Sequence, residues 1–323
     1  MPNGNTQQKY PSPLRVAVIG TGYLGRFHAQ KYAALDSAEL VAICDLDAAR
    51  AQKVATEVGT VALSDHHQLK GICDAVSIAS PTRSHFAVAH DCLKNGLHVL
   101  VEKPMTVTTD EAQTLVDIAA ANKLILQVGH LERFNPALLA VADQIVDPIF
   151  IESHRLAPFT ARGADVNVVL DLMIHDIDIL LHLVPSEVAA IHANGAPVVS
   201  DAPDIANVRI EFANGCVANV TASRVSDKRE RRMRFFQKNT YIAVDFQENK
   251  ARVCRVDHDA PDVDGMPSIN CVDTELEKGD AIRAEIEAFL HAIRTNTRPL
   301  VSGQDGLRAL QAAIAIGEKL GTA

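Results

Sequence analysis

Short apolar runs and helix-like stretches alternate through the first part of the chain. Residues 14–19 are an apolar run that ends in glycines, and 23–35 read as a helix. A second run covers 40–44, and 47–58 read as a helix that Gly59 stops. Residues 75–79 make a third run; Phe86, Val88, Ala89, Cys92 and Leu93 then share a helical face closed by Gly96. Runs at 98–101 and 125–128 flank a helix over 110–122. Strands that alternate with helices predict parallel βαβ units and a doubly wound sheet. Their continuous apolar character suits strands buried on both faces.

Near residue 130 the texture changes. Residues 188–193, 206–212 and 217–224 read as strands, with Ala213-Asn214-Gly215 as a hairpin turn between the last two. Residues 241–245 and 251–255 read as another antiparallel pair, and 257–267 as an acidic, proline-bearing loop. Two helices follow. One carries Ile282, Ile286, Phe289, Leu290 and Ile293 on its apolar stripe, the other Leu307, Leu310, Ala313 and Ile314. The expected fold class is α/β: a flexible tail at 1–12, a doubly wound parallel-sheet domain at 13–130, and an α+β domain with a mainly antiparallel sheet at 131–323.

Composition narrows the function. The apolar fraction of 47% builds real cores, and the net charge of −9 argues against nucleic acid or an anionic membrane as partner. The N-terminal stretch is polar and lacks the apolar core of a signal peptide. The apolar segment 168–184 is broken by Asp171, His175, Asp176, Asp178 and His182, so it does not read as a membrane span. Cysteines at 44, 73, 92, 216, 254 and 271 include no C-x-x-C pair and read as reduced, buried thiols of a cytoplasmic protein.

Gly20-Thr21-Gly22-Tyr23-Leu24-Gly25 has the G-x-G-x-x-G spacing, directly after a strand and at the start of a helix. Gly20 permits the tight turn, Gly22 lets backbone approach a pyrophosphate, and Gly25 lets helix and strand pack closely. Asp45 ends the second strand, 20 residues past Gly25. A carboxylate there receives ribose hydroxyls and repels a 2′-phosphate, which favours NAD; capping of the next helix is the competing role, and Asp47 also fits it. Glu102-Lys103-Pro104 follows the strand at 98–101. A lysine at the carboxyl end of such a strand can stabilise a developing alkoxide, or can simply pair with Glu102. Asp171, His175 and Asp178 fall at i, i+4 and i+7 on a helix. They read first as a base with its orienting acid, second as a plain pair, third as a metal site. No metal is expected. Arg155 and Arg162 suit a phosphorylated substrate if they face a cleft, and are solvent-facing otherwise. The run from Asp227 to Arg234 reads as a solvated mixed-charge face, and His28, His85 and His130 as packing residues.

The ordered set Gly20-x-Gly22-x-x-Gly25-x-x-His28, Ser80-Pro81-x-x-x-His85, Glu102-Lys103-Pro104 and Asp171-x-x-x-His175-x-x-Asp178 resembles the Gfo/Idh/MocA oxidoreductases over nearly the whole chain. That resemblance implies a Rossmann domain followed by a domain with an open sheet that pairs subunits into a homodimer or homotetramer. It implies Lys103, Asp171 and His175 as the catalytic group. Ser80, Pro81, His85, Glu102 and Lys103 would then contact the nicotinamide side of the cofactor. Met173 stands where relatives often have glycine, which would reshape the pocket floor. Within the family, the segments 129–136 and 169–178 are most similar to the subgroup that oxidises the 3-hydroxyl of UDP-N-acetylglucosamine, whose product an aminotransferase can take. This adds Arg133 to Arg155, Arg162, Asp171 and His175 as substrate residues. Two rivals stay open: a dehydrogenase of a free polyol such as inositol or of a UDP-sugar uronate, and a non-catalytic dinucleotide or sugar sensor.

Overall fold

The computed structural model describes residues 13–160, 167–260 and 266–321. The predicted tail at 1–12 and Arg162 lie outside the described residues. In chain order the first elements are β1 (Leu14–Ile19), α1 (Tyr23–Ala33), β2 (Ala38–Cys44), α2 (Ala48–Val58), β3 (Val61–Leu63), β4 (Ala75–Ile78), α3 (Thr82–Lys94), β5 (His98–Glu102), α4 (Thr109–Asn122) and β6 (Leu126–Gly129). Next come α5 (Pro136–Leu139), β7 (Phe150–Leu156), a π-helical turn (Val169–Met173), α6 (Ile174–Leu183), β8 (Val188–Ala196), β9 (Ile205–Phe212) and β10 (Val217–Ser223). β11 (Glu230–Gln237), β12 (Thr240–Asp245), β13 (Lys250–Asp257), β14 (Ser268–Glu275), α7 (Ala281–Thr295) and α8 (Gly303–Lys319) close the chain. Among the described residues no helix is long and apolar enough to cross a membrane.

The chain forms two compact units. One holds the described residues up to His130 with Ile282–Leu307; the other holds Leu131–Ala281 and the described residues from Arg308 onward. Residues 282–307 therefore belong with the first unit, whereas the sequence pattern placed them in the second domain. An amphipathic stripe reveals that a helix buries one face, not which sheet covers it.

In the first unit, six parallel strands run in the order β3-β2-β1-β4-β5-β6, the doubly wound arrangement. Leu14, Val16 and Val18 of β1 are fully buried among Ala29 and Tyr32 of α1 and Ile286, Phe289, Leu290 and Ile293 of α7. Burying each large side chain of that α7 stripe contributes ~1.5–3 kcal/mol. The start of α8 lies flush on β6. A Cβ on Gly306 would come 2.5 Å from Val128, and one on Gly303 would come 2.6 Å from Leu126.

The second unit is an eight-stranded sheet in the order β14-β13-β12-β11-β7-β10-β9-β8, antiparallel except for the β7–β10 pair. One face carries a core that includes Ile151, Met233, Phe235, Val208, Val220, Met173, Ile177 and Ile316. The exposure of Asp227, Lys228, Arg229, Arg231 and Arg232 agrees with the solvated mixed-charge reading of 227–234, and β11 adds one exception, buried Met233. Met233 and Phe235 point into the core, while Arg232 and Arg234 point outward to Asp245 and Glu152 at 3.3 and 3.1 Å. Alternation was present there, but charged residues on the outward side and an arginine on the inward side masked it. β3, β7 and β14 were also absent from the sequence reading. β14 is exposed along nearly its whole length, so it carries no apolar alternation to detect.

The thiol reading needs one correction. Cys44, Cys73, Cys92 and Cys216 are free and buried, but Cys254 and Cys271 form a disulfide. They face each other across the β13–β14 register, which a sequence spacing of 17 does not reveal. Burial pushes the Cys44 thiol up to about 11 and the Cys73 thiol up to about 12, so neither is a thiolate near neutral pH.

Candidate functional site

The glycine-rich turn between β1 and α1 is shaped for an anion. Gly20 adopts φ +87°, and a Cβ there would lie 2.5 Å from the Ser80 amide nitrogen. A Cβ on Gly25 would lie 1.8 Å from the Gly20 carbonyl oxygen, so the helix packs directly on the turn. A Cβ on Gly22 would meet nothing within 4 Å, so the helix start opens onto free space. α1 has no side-chain cap at Gly22 and no acidic residue in its first turn, whereas Asp47 caps α2, and Thr108 with Glu111 builds a capping box on α4. A helix start with no side-chain cap and no first-turn acid fits the anionic pyrophosphate of a dinucleotide. Thr21 is buried, Tyr23 is exposed against Phe27, and Leu24 is half-buried.

Asp45 stands at the carboxyl end of β2. Its Oδ2 accepts from the amide and hydroxyl of Thr21, both at 2.7 Å, and its Oδ1 accepts from the Asp47 amide at 2.9 Å. The capping role falls to Asp47, which accepts from the Arg50 amide. A carboxylate accepts about four hydrogen bonds, so Asp45 keeps capacity for a ribose hydroxyl. Burial opposes its ionisation, but Thr21, the Asp47 amide and the Arg50 charge outweigh that and hold the carboxyl below its ordinary value. Asp45→Ala is expected to lower the NAD-over-NADP ratio of kcat/KM about tenfold, equivalent to ~1.4 kcal/mol. Kinetics with both cofactors measure it; an unchanged ratio would confine Asp45 to holding Thr21.

Lys103 is half-buried at the end of β5, directly after Glu102. Ser80 and Pro81 follow β4, and Pro81 starts α3. His85 is buried with one ring nitrogen 2.9 Å from the Pro104 carbonyl oxygen and the other 2.7 Å from the Ser80 carbonyl oxygen. Burial pulls its imidazole below the ordinary value against those two carbonyls. Each ring nitrogen faces a backbone carbonyl, and the N–H of the neutral imidazole donates to one of them, so His85 packs between Ser80 and the Lys103-Pro104 segment. His28, read as packing, is buried with Nε2 3.1 Å from Glu102 Oε1.

In the second unit, Asp171 lies within the π-helical turn and His175 in the first turn of α6; both are half-buried. π-turns are rare and concentrate at functional sites. The turn also alters the α-helical spacing assumed from sequence. Asp178 is buried and pairs with buried Arg133 at 3.5 Å. Asp176 is buried and takes two bonds from Arg155, at 2.8 and 3.0 Å, while Arg155 Nη1 donates to Glu132 at 2.8 Å. Burial works against the Arg155 charge, yet Asp176 and Glu132 hold the guanidinium above its ordinary value. Arg155, expected to meet substrate, is instead committed to two carboxylates within the protein. The sequence reading gave neither Asp176 nor Glu132 a role in a site. Their signal was the placement of acids inside apolar segments. Met173 is fully buried in the core, so it lines no pocket floor.

Comparison with known proteins agrees with this layout. Residues 14–130 match a family described as the oxidoreductase family with an NAD-binding Rossmann fold, and residues 150–242 match the GFO/IDH/MocA C-terminal domain. The chain is 41% identical over 304 residues to UDP-N-acetylglucosamine 3-dehydrogenase from Acidithiobacillus ferrooxidans, covering 94% of this chain and 96% of that one. A solved structure of the same enzyme superposes with TM-score 0.90 at 40% identity, covering 95% of this chain and 97% of that one. scyllo-Inositol 2-dehydrogenase (NAD(+)) from Bacillus subtilis is 31% identical over 233 residues, 66% of this chain and 68% of that one. The glycine turn at the start of α1 and the two matched domains lead to one conclusion: the chain belongs to the Gfo/Idh/MocA oxidoreductase family and is an NAD-dependent dehydrogenase.

Proposed function

We propose that this dehydrogenase oxidises the 3-hydroxyl of UDP-N-acetylglucosamine to a ketone. The observation that carries the reading is the 41% identity, sustained over 94% of the chain, to a relative named for that activity, against 31% over 66% for the inositol enzyme. Bound NAD supplies the acceptor for the hydride of the carbinol carbon. Gly20, Thr21, Gly22, Tyr23, Leu24, Gly25 and Asp45 hold its adenosine and pyrophosphate side. Ser80, Pro81 and Glu102 border its nicotinamide side, kept in place by His85. Lys103 holds the substrate oxygen with its ammonium, which favours the alkoxide as charge develops. His175, oriented by Asp171, takes the hydroxyl proton. Arg133 and Arg155 already pair with carboxylates, so this reading leaves Arg162 for the diphosphate.

The same reading places the enzyme in the cytoplasm as a homodimer or homotetramer, joined through the outward face of the eight-stranded sheet. An aminotransferase that accepts the 3-ketone would consume the product.

The test is NADH formation by the purified protein with NAD and UDP-N-acetylglucosamine. Free N-acetylglucosamine and inositol run in parallel, and a second set adds 2-oxoglutarate as a recycling oxidant. Turnover restricted to the UDP-sugar is the expected result. Turnover restricted to inositol would overturn the substrate assignment.

A further inference from the structure

At the Glu102-Lys103-Pro104 segment, the first unit brings together three titratable groups from three elements: buried His28 from α1, half-buried Glu102 from β5 and buried Glu285 from α7. One ring nitrogen of His28 and one carboxylate oxygen from each glutamate lie within 4.8 Å of one another. Glu285 is fully buried, on the same stripe as Ile282, Ile286 and Phe289, where an unpaired acid is costly. Both of its carboxylate oxygens, and His28 Nδ1, lack a hydrogen-bond partner. There is no slack on the β6 side. A Cβ on Gly129 would come 2.9 Å from Glu102 Oε2, and Gln127 Nε2 donates to the Glu285 backbone carbonyl at 3.0 Å.

Two ionised carboxylates this close, one of them fully buried, repel strongly, so one of them keeps its proton. Glu102 already has His28 as a partner at 3.1 Å and retains slight exposure; Glu285 has neither. The remaining titratable neighbour, Tyr32, is bonded to Ser77 at 2.9 Å and gives Glu285 no positive charge. Burial, with the Glu102 charge adding to it, holds the Glu285 carboxyl well above the carboxylate range.

We propose that His28, Glu102 and Glu285 act as one buried hydrogen-bonded unit, with Glu285 as its neutral, proton-donating member, and that this unit fixes the backbone carrying Lys103. Glu285 is then a positioning residue: its O–H points at the Glu102 carboxylate, directly or through one bridging water, and His28 donates from the other side. The inference rests on the catalytic reading of Lys103.

The experiment uses the full chain with Glu285→Gln and Glu285→Leu. In the substrate-free protein at neutral pH, the infrared carbonyl stretch of a protonated carboxylic acid should be present in the wild type and missing in Glu285→Gln. Melting should carry a matching sign. A carboxyl with a raised folded-state pKa leaves the native state holding more protons than the unfolded chain as pH rises above ~4.3, so wild-type stability falls with pH. Glu285→Gln has no such proton to lose, and its Tm should gain on the wild type from about pH 5 to 8. In turnover, Glu285→Gln should stay within about threefold of the wild-type kcat, while Glu285→Leu loses about tenfold or more with NAD binding little changed. The unit is overturned by absence of the carboxylic-acid signal, by an equal kcat loss in both variants, or by a stoichiometric metal ion in the purified protein. An active Lys103→Ala variant would instead defeat the Lys103 reading, which the infrared and melting results do not depend on.

Discussion

Lys103→Ala is expected to lower kcat by about 100-fold or more while NAD affinity stays nearly intact. The lysine follows the last residue of β5, at the carboxyl end of a parallel strand, where doubly wound sheets place their reacting groups. Its charge matters most when the hydroxyl oxygen becomes an alkoxide, so its removal should depress kcat more than it raises KM. The pyrophosphate turn and Asp45 lie on other strands of the sheet, which is why cofactor binding should survive. Steady-state kinetics and a fluorescence titration with NADH separate the two effects. Near-normal turnover would sink the assignment, and a parallel loss of NADH binding would make Lys103 a cofactor anchor.

Arg155→Ala is expected to destabilise the protein by about 3–5 kcal/mol, because it strands buried Asp176 without its cation and leaves half-buried Glu132 only the longer contact to Arg231 at 3.4 Å. In a unit of this size each kcal/mol shifts Tm by about 2–4 °C, so the melt should drop on the order of ten degrees. Asp176→Ala should cost a similar amount for the converse reason. The double variant should cost clearly less than both combined, since neither stranded charge remains in the pair. A substrate contact would behave differently: KM would rise in Arg155→Ala with Tm unchanged. Thermal melts of the four proteins decide between the two roles.

Much of this enzyme was legible before folding. Strict alternation of apolar runs with helical stripes through residue 129 determined a parallel sheet, because strands buried on both faces admit few polar residues. The G-x-G-x-x-G turn was equally readable, since its glycines answer backbone constraints that act within a few residues: φ +87° at Gly20 and contact between Gly25 and the Gly20 carbonyl. Asp45 and Lys103 were visible because chain order puts them at strand ends, and a strand end in such a sheet is a chemical position.

Other features depend on partners far away in sequence. Local pattern cannot show that α7 covers the parallel sheet, that Cys254 meets Cys271, or that Arg155 is taken by Asp176 and Glu132. Each is a matter of register or packing between elements, and a residue type alone does not say what stands opposite. The same limit separated Glu285 from the other surface-like acids. On paper it is one glutamate in an amphipathic helix; packed between α1 and the strand ends, it is a buried acid facing another. The sequence by itself determined the layers, the cofactor turn and the residue types available for chemistry, because those follow from periodicity and short-range sterics. Tertiary structure alone decided which charges are spent on each other and which stay available, because burial and pairing are set by contacts between segments distant along the chain.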